Sequence, residues 1–237
     1  MPESAQLSVQ LTVTGRSCIV VGGGPVALRR TRSLLQAGAQ VVVVAPLLEP
    51  GFQELTETNQ LQICQREFEP TDLAPDTSAP GDHSGLPMLV VVATDNSEVN
   101  DYVGALCIAA GVLVNRADLA QAGDLVFPAI VRWGKVCLAV SNSVGSPALS
   151  KWVAERVDAS LESVLGLSAE EGEQLAQVIL EVRQALNAAQ SVSGKTRRDV
   201  TSGVPDWRSA LDESILVLVR TGRCAEAKER LLACLSS

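Results

Sequence analysis

The chain has 237 residues, a net charge of −8, a hydrophobic fraction of 46% and an aromatic fraction of 3%. These values suit a globular protein with a sizeable core and exclude a disordered chain. An acidic protein poor in aromatic residues also lacks the basic surface and the stacking platforms of general nucleic-acid binding.

Leu7, Val9, Leu11 and Val13 alternate with polar residues and predict an edge strand over 7–13, turning at Thr14-Gly15-Arg16. The first fifteen residues hold no basic stretch followed by an apolar core, so no secretory leader is expected. Cys18 to Val21 is a short apolar run of the kind a strand buried on both faces requires. Gly22, Gly23 and Gly24 follow, and Pro25 suits the first turn of a helix, where its missing N–H costs little. That helix is expected to run to about Ala37 and stop at Gly38, before a second strand over Val41 to Val44.

The register Gly22-x-Gly24-x-x-Ala27 is the dinucleotide fingerprint with alanine in third place. The first glycine permits the tight turn, and the second lets the backbone approach a pyrophosphate. The small third residue lets helix pack on strand, and the helix start faces the negative charge. A glycine turn without a ligand is the structural alternative; the strand–turn–helix–strand setting favours a nucleotide. Gly22, Gly23, Gly24, Pro25, Val26 and Ala45 are therefore the candidate cofactor residues on this half. The acid that grips a ribose about twenty residues on is replaced by Ala45-Pro46, and no arginine stands there, so this position does not separate NAD from NADP.

A helix near Gly51 to Thr58 and a strand near Leu61 to Gln65 continue the alternation. Residues 70–87, rich in Pro, Gly, Asp and Ser, predict a loop with no regular element, and His83, the one histidine, sits inside it. A single histidine gives a histidine-based metal site or a serine–histidine triad nothing to work with. Leu89 to Ala93 is an apolar strand, and Asp95 with Glu98 predicts a capping box for the helix after it. The same loop, at the carboxyl end of a parallel strand, is where such sheets bind ligands, so Thr94 and Asp95 join the cofactor candidates. Val112 to Asn115 is a further strand, and residues 1–115 read as a doubly wound parallel sheet.

Beyond it, Leu125 to Val131 and Val136 to Val140 predict a β-hairpin turning at Arg132-Trp133-Gly134-Lys135. Ser146-Pro147 starts a helix over about 147–165, with Leu149, Trp152, Val153, Val157 and Leu161 on one face. A helix over about 168–189, a linker over 190–206 and a final helical pair complete an all-α C-terminal third. Six cysteines without a CxxC pair predict reduced thiols in a cytoplasmic protein, and no apolar run is long enough to span a membrane.

Together, GGGPVALRR, VVVATDNSEVN, LVNRADLAQAGDLVFPAIVRWGKVCLAVS and GSPALSKWVAERV resemble the precorrin-2 dehydrogenase and ferrochelatase family of siroheme synthesis, over about residues 7–165. The resemblance implies oxidation of precorrin-2 to sirohydrochlorin with NAD as hydride acceptor, and in some members insertion of ferrous iron. It implies a homodimer built from a Rossmann-type parallel sheet over 1–115, a small α+β dimerisation and active-site segment over 116–165, and an all-α C-terminal domain over 166–237. The family's key acid lies in an Asn-x-x-Asp segment, here Asn115-Arg116-Ala117-Asp118. Asp118 would then take the proton lost with the hydride and could hold iron transiently. As a structural alternative, Asp118 caps a short helix, with Gln121 completing a capping box.

Asn115, Arg116, Ser141 and Ser146 are the candidate substrate residues, and Arg132, Lys135 and Lys151 are further local positive charges for a carboxylate-rich tetrapyrrole. Ser141 matches a family serine, but Val144 stands where the family loop usually has glycine, which implies a different loop conformation here. A fused methyltransferase domain, found in some relatives, is not expected in a chain of this length. A non-catalytic NAD-sensing or tetrapyrrole-binding module is the competing reading.

Overall fold

The computed structural model describes residues 6–55, 60–74, 85–192 and 206–236. The chain forms two compact units, Met1–Phe127 and Pro128–Ser237.

The first unit is a parallel sheet of β1 (Ser17–Val21), β2 (Gln40–Val44), β3 (Leu61–Cys64), β4 (Leu89–Val92) and β5 (Leu113–Arg116), in the order β3-β2-β1-β4-β5. Helices α1 (Pro25–Gln36) and α2 (Ser97–Ala110) make the crossovers. Strands covered on both sides need apolar residues at successive positions, and β1 and β4 have them: Cys18, Val20, Leu89 and Val91 face α1, while Ile19, Val21, Val90 and Val92 face α2. Each such buried aliphatic side chain contributes about 1.5–3 kcal/mol. Ala27 is fully buried in the α1 face, as the third fingerprint position requires. The chain order reverses between β1 and β4, so the ligand crevice of this architecture falls at their carboxyl ends.

Four expectations are corrected in this unit. Residues 7–13 join no ladder: both flanks of β1 are taken by β2 and β4, so a hairpin across Thr14-Gly15 has no edge to pair with, and Leu7 and Val9 lie exposed. The segment near Gly51 is a 3₁₀ turn, Pro50–Leu55, that buries Phe52. Within 70–87, Pro70–Leu73 forms one 3₁₀ turn, closed by Asp72 accepting from the Glu69 amide at 2.8 Å and burying Leu73; His83 lies outside the described residues. The cap of α2 is Asn96, one residue beyond Asp95, with its Oδ1 accepting from the Glu98 and Val99 amides at 2.9 and 3.2 Å.

The second unit opens with the antiparallel hairpin β6 (Ala129–Trp133) and β7 (Val136–Val140), turning on Gly134 and Lys135 with Gly134 at φ 53°. The first strand starts four residues later than expected. Asp124 ties the preceding segment to β5 through the Val114 carbonyl, and Leu125 and Phe127 pack into the α1-side core instead. Helix α3 (Pro147–Leu165) packs on β6, capped by Ser146, whose Oγ accepts from the Leu149 amide at 3.3 Å. Helices α4 (Ala169–Val192), α5 (Trp207–Ala210), α6 (Glu213–Arg220) and α7 (Cys224–Leu235) enclose a separate core around Val182, Ile215, Val219 and Leu231. The predicted linker therefore begins inside α4; its residues 193–205 lie outside the described ones. Among the described residues no helix is long and apolar enough to cross a membrane.

Candidate active site

The glycine turn leaves β1 with the Gly22 amide donating to the Val44 carbonyl at 3.0 Å. Gly22 has φ 123°, and a β-carbon there would collide with the Ala93 carbonyl, so the turn after β1 touches the turn after β4. A β-carbon on Gly23 would collide with the Leu47 carbonyl, and the Gly23 carbonyl accepts from the Glu49 amide at 2.8 Å. Gly24 differs from both. A β-carbon there meets no heavy atom within 4 Å, so its side is open. Gly24 is the N-cap of α1, with Pro25 behind it and no side chain capping the helix. The amides of Val26 and Ala27 thus stand in a first turn that has no acidic residue, where the helix dipole favours an anion. The two packed glycines and the open third form a cradle that fits a pyrophosphate. Val26 is 38% exposed beside it, and Ala45 is buried at the end of β2.

Beyond β4, Thr94 Oγ1 donates to Asn100 Oδ1 at 2.6 Å, and Asn100 Nδ2 returns a bond to the Thr94 carbonyl at 3.1 Å. Asn100 is 1% exposed, so this reciprocal pair fixes the turn to the first turns of α2. Asp95 lies exposed at its tip.

Asp118 lies two residues past β5, at the same edge of the sheet. The capping alternative is not found, since no side chain caps the 3₁₀ turn Ala120–Ala122. Both carboxylate oxygens instead accept from Arg116, Oδ1 from Nε at 2.9 Å and Oδ2 from Nη2 at 2.8 Å. A bidentate, charge-assisted pair of this kind is strong and directional. The Arg116 guanidinium, aided by Asn100, holds the Asp118 carboxyl well below the usual carboxylate range. The guanidinium is itself pushed above its ordinary value by Asp118 and by Asp101, whose Oδ1 accepts from Nη1 at 2.8 Å. Arg116 is 4% exposed and its charge faces these two carboxylates, which corrects its expected role as an open receiver of substrate carboxylates.

Asn115 is buried on the opposite face of β5. Its Nδ2 donates to the Leu125 carbonyl at 2.8 Å, and its Oδ1 has no partner. Asp124 accepts from the Val114 amide at 3.0 Å, and Gly123 passes so close to β5 that a β-carbon would strike Val114 and Arg116. The segment after Asp118 is thereby pinned back on its own strand.

In the second unit, Ser141 is exposed and Ser146 caps α3. The loop between them is held by Asn142, whose Nδ2 donates to the Ser146 carbonyl at 2.7 Å and to Ser150 Oγ at 2.6 Å, while its Oδ1 accepts from the Ser146 amide at 2.9 Å. The positive φ of this loop falls on Gly145, at 67°, and Val144 points outward with 70% exposure. The valine is accommodated because the left-handed residue is its neighbour. Lys135 lies near Glu173 and Gln177, and Lys151 near Glu155.

Sequence reasoning missed Asn100, Asp101 and Asn142. Asn100 bonds Thr94, six residues back across the helix start, a spacing no helical pattern announces. No local pattern announces that Asp101 reaches a strand fifteen residues later. Among the described residues no group of three or more His, Cys, Asp or Glu is arranged to hold a metal. The thiols of Cys18 and Cys107 are pushed up to about 11 by burial, which makes them core groups rather than nucleophiles.

A family model described as putative NAD(P)-binding matches residues 9–129. The siroheme synthase of Nitrosococcus oceani is 32% identical over 229 residues, covering 97% of this chain and 44% of that protein. The siroheme synthase of Photobacterium profundum is 33% identical over 217 residues, covering 92% and 41%. The chain spans less than half the length of these curated relatives. A solved structure titled SirC, precorrin-2 dehydrogenase, matches with a TM-score of 0.66 at 27% identity, covering 95% of this chain and all of that one. With a fingerprint cradle and a matched span that takes in the whole parallel sheet, the chain belongs to the putative NAD(P)-binding family.

Proposed function

We propose that this chain dehydrogenates precorrin-2 to sirohydrochlorin in siroheme synthesis, using NAD. One observation carries the reading: the open, uncapped helix start at Gly24 and an oriented carboxylate, Asp118, lie at the same carboxyl edge of one sheet. The likeness to precorrin-2 dehydrogenase over 95% of the chain supports it.

NAD, when bound, supplies the hydride acceptor. The backbone of Gly22 to Gly24 and the amides of Val26 and Ala27 hold the pyrophosphate. Thr94 and Asp95 border the crevice beside β1, and Ala45 leaves the ribose end without a charged grip. Asp118 takes the proton that must leave when a ring carbon is oxidised. Its bonds to Arg116 keep it ionised and lower its basicity, and each oxygen retains a second lone pair for that proton. Asn115 acts as a brace for the loop, through its Nδ2 bond to the Leu125 carbonyl. In the second unit, taken by itself, Ser141 and the start of α3 at Ser146 are the candidate anion contacts.

We also infer a homodimer. The second unit leaves Ile130 and Val136 of the hairpin and Leu149, Trp152 and Val164 of α3 exposed, each at 42% or more, and large apolar side chains left exposed in this number suit an interface. The proposed functional division into 1–115, 116–165 and 166–237 cuts across the boundary after Phe127. Six unpaired thiols support a reducing, cytoplasmic setting.

The test is anaerobic incubation with precorrin-2 and NAD, following NADH and sirohydrochlorin by absorbance. Both should appear in equal amounts, and ferrous iron added afterwards would yield siroheme if Asp118 also serves metal insertion. A binding module without turnover is favoured by one fact, that Arg116 holds the Asp118 carboxyl well below the usual range and so makes it a weak base. NAD binding with no NADH formed would select it.

A further inference from the structure

All three outward-facing nitrogens of Arg116 are engaged. Nε and Nη2 donate to the two oxygens of Asp118, and Nη1 donates to Asp101 Oδ1. The two acids come from different elements: Asp118 follows β5, whereas Asp101 lies in the first half of α2. Asp101 is 72% exposed while the guanidinium it holds is 4% exposed. The exposed acid thus reaches inward to a buried cation, which is unlike an ordinary surface pair. Gly104, about one turn further along α2, lies beside the Arg116 side chain, where a β-carbon would be 3.5 Å from Nη1, an ordinary packing distance. The start of α2 is fixed in turn by Asn96 and by the Thr94–Asn100 pair. A continuous path of directed contacts therefore runs from the turn after β4, through α2 and Asp101, to Arg116 and Asp118.

We propose that Asp101 and Arg116 are positioning residues for Asp118: Asp101 anchors the guanidinium from α2, and the anchored guanidinium sets the orientation of the carboxylate. The proposal rests on the reading of Asp118 as the proton acceptor. An arginine tethered at Nη1 can neither follow Asp118 when substrate arrives nor swing out to meet substrate carboxylates itself. Asp118 is therefore held in one orientation by a fixed partner. Lysine cannot replace this function, because a single ammonium lacks the planar fork that grips two carboxylates at once. The charged groups facing Asp118 are Arg116 from β5 and, through it, Asp101 from α2. Asn100 is the neutral neighbour, and Asp124 on the returning segment is turned to the Val114 amide.

The experiment is a double-mutant cycle on the full chain with Asp101→Asn and Arg116→Lys, reading kcat and KM for precorrin-2, the NAD affinity and the pH profile of kcat. Each single variant should lower kcat, on the order of tenfold for Arg116→Lys, as misplacement of a reacting group does. KM and NAD affinity should stay within about twofold of wild type, and the double variant should lose little more than Arg116→Lys alone. Additive losses, or a loss confined to KM, would overturn the proposal, the second because it would mean that Arg116 contacts substrate directly.

Asp118→Asn in the same assay separates the two readings. If that variant keeps full kcat, Asp118 is not the base and the functional reading fails on its own account. The positioning claim is then decided by carboxyl NMR titration of Asp118. In Arg116→Gln its midpoint should move up toward the ordinary aspartate value, and an unmoved midpoint would end the claim.

Discussion

Gly22 and Ala93 are in backbone contact: a β-carbon on the first fingerprint glycine would strike the Ala93 carbonyl, just past the end of β4. The first glycine therefore shapes the turn after β1 and also lets the turn after β4 close beside it. Gly24, two residues on, has open space where Gly22 has protein. The same residue type answers a folding requirement in one place and a ligand requirement in the other.

Gly24→Val should consequently leave the fold intact and weaken NAD binding, since its side chain enters the cradle and nothing else. Gly22→Ala should instead lower stability, because φ 123° and the Ala93 carbonyl both oppose a side chain. Calorimetric NAD titration and urea unfolding of both variants check the contrast. Equal NAD affinity in Gly24→Val and wild type would place the pyrophosphate elsewhere.

Asp118→Ala should keep NAD binding and reduce NADH formation by at least about a hundredfold, the lower range for a positioned base. Removing the carboxylate also leaves Arg116 with Asp101 as its one carboxylate, so a modest stability loss should accompany it. Steady-state turnover measured beside the unfolding curve separates the two effects; wild-type turnover would remove Asp118 from the mechanism.

The pH dependence of stability follows from the same pair. Asp118 is held below its unfolded value, so its contribution is fully present above the ordinary aspartate range, about pH 4, and is lost as pH falls through its folded value. Asp72, lowered by Arg66, and Glu181, lowered by Lys228, act with the same sign. In urea titrations, wild type should lose stability progressively below about pH 4, and Arg116→Gln should lose less over that window. A difference between the two proteins that is the same at pH 7 and pH 2 would contradict this account.

Asn100→Ala should cost about 1–3 kcal/mol, the range for stranding buried polar partners. Its amide serves both the hydroxyl and the carbonyl of Thr94 in a side chain that is 1% exposed. Because that pair fixes the turn beside β1, NAD affinity should fall with stability. Chemical denaturation and NAD titration of the variant test both consequences together.

Asn142→Ala should unfasten the loop before α3, since one amide bonds the Ser146 carbonyl, the Ser146 amide and the Ser150 hydroxyl. Amide exchange at Ser146 should speed up markedly, with the sheet-bearing unit unaffected. Unchanged protection at Ser146 would show that the Ser146 cap alone holds the helix start.

Local patterns were legible wherever neighbours in sequence carry the whole requirement. The glycine turn, Pro25 at the helix start, the Ser146-Pro147 cap and the buried runs of β1 and β4 are of this kind. The alternation of Leu7 to Val13 was misleading because a strand also needs a vacant edge, and β1 offers none. The hairpin started late for a similar reason: Asp124 and Asn115 bind the chain to β5 before it can pair with β7. Asp95 and Asn96 are both good caps in sequence terms, and the path of the chain leaving β4 selected the asparagine.

An α/β chain with a dinucleotide fingerprint, and an acid shortly past the last strand of its sheet, can be read from the residues alone. Those features depend on backbone freedom, residue size and apolar periodicity, which are set within a few positions. The bonding of Asp118, by contrast, emerges from the fold. Its partner Arg116 is a near neighbour in the chain, but the acid that fixes Arg116 arrives from α2 by way of a crossover. Hydrogen bonding of a buried guanidinium depends on which carboxylates the fold brings within about 3 Å, and no spacing along the chain encodes that distance.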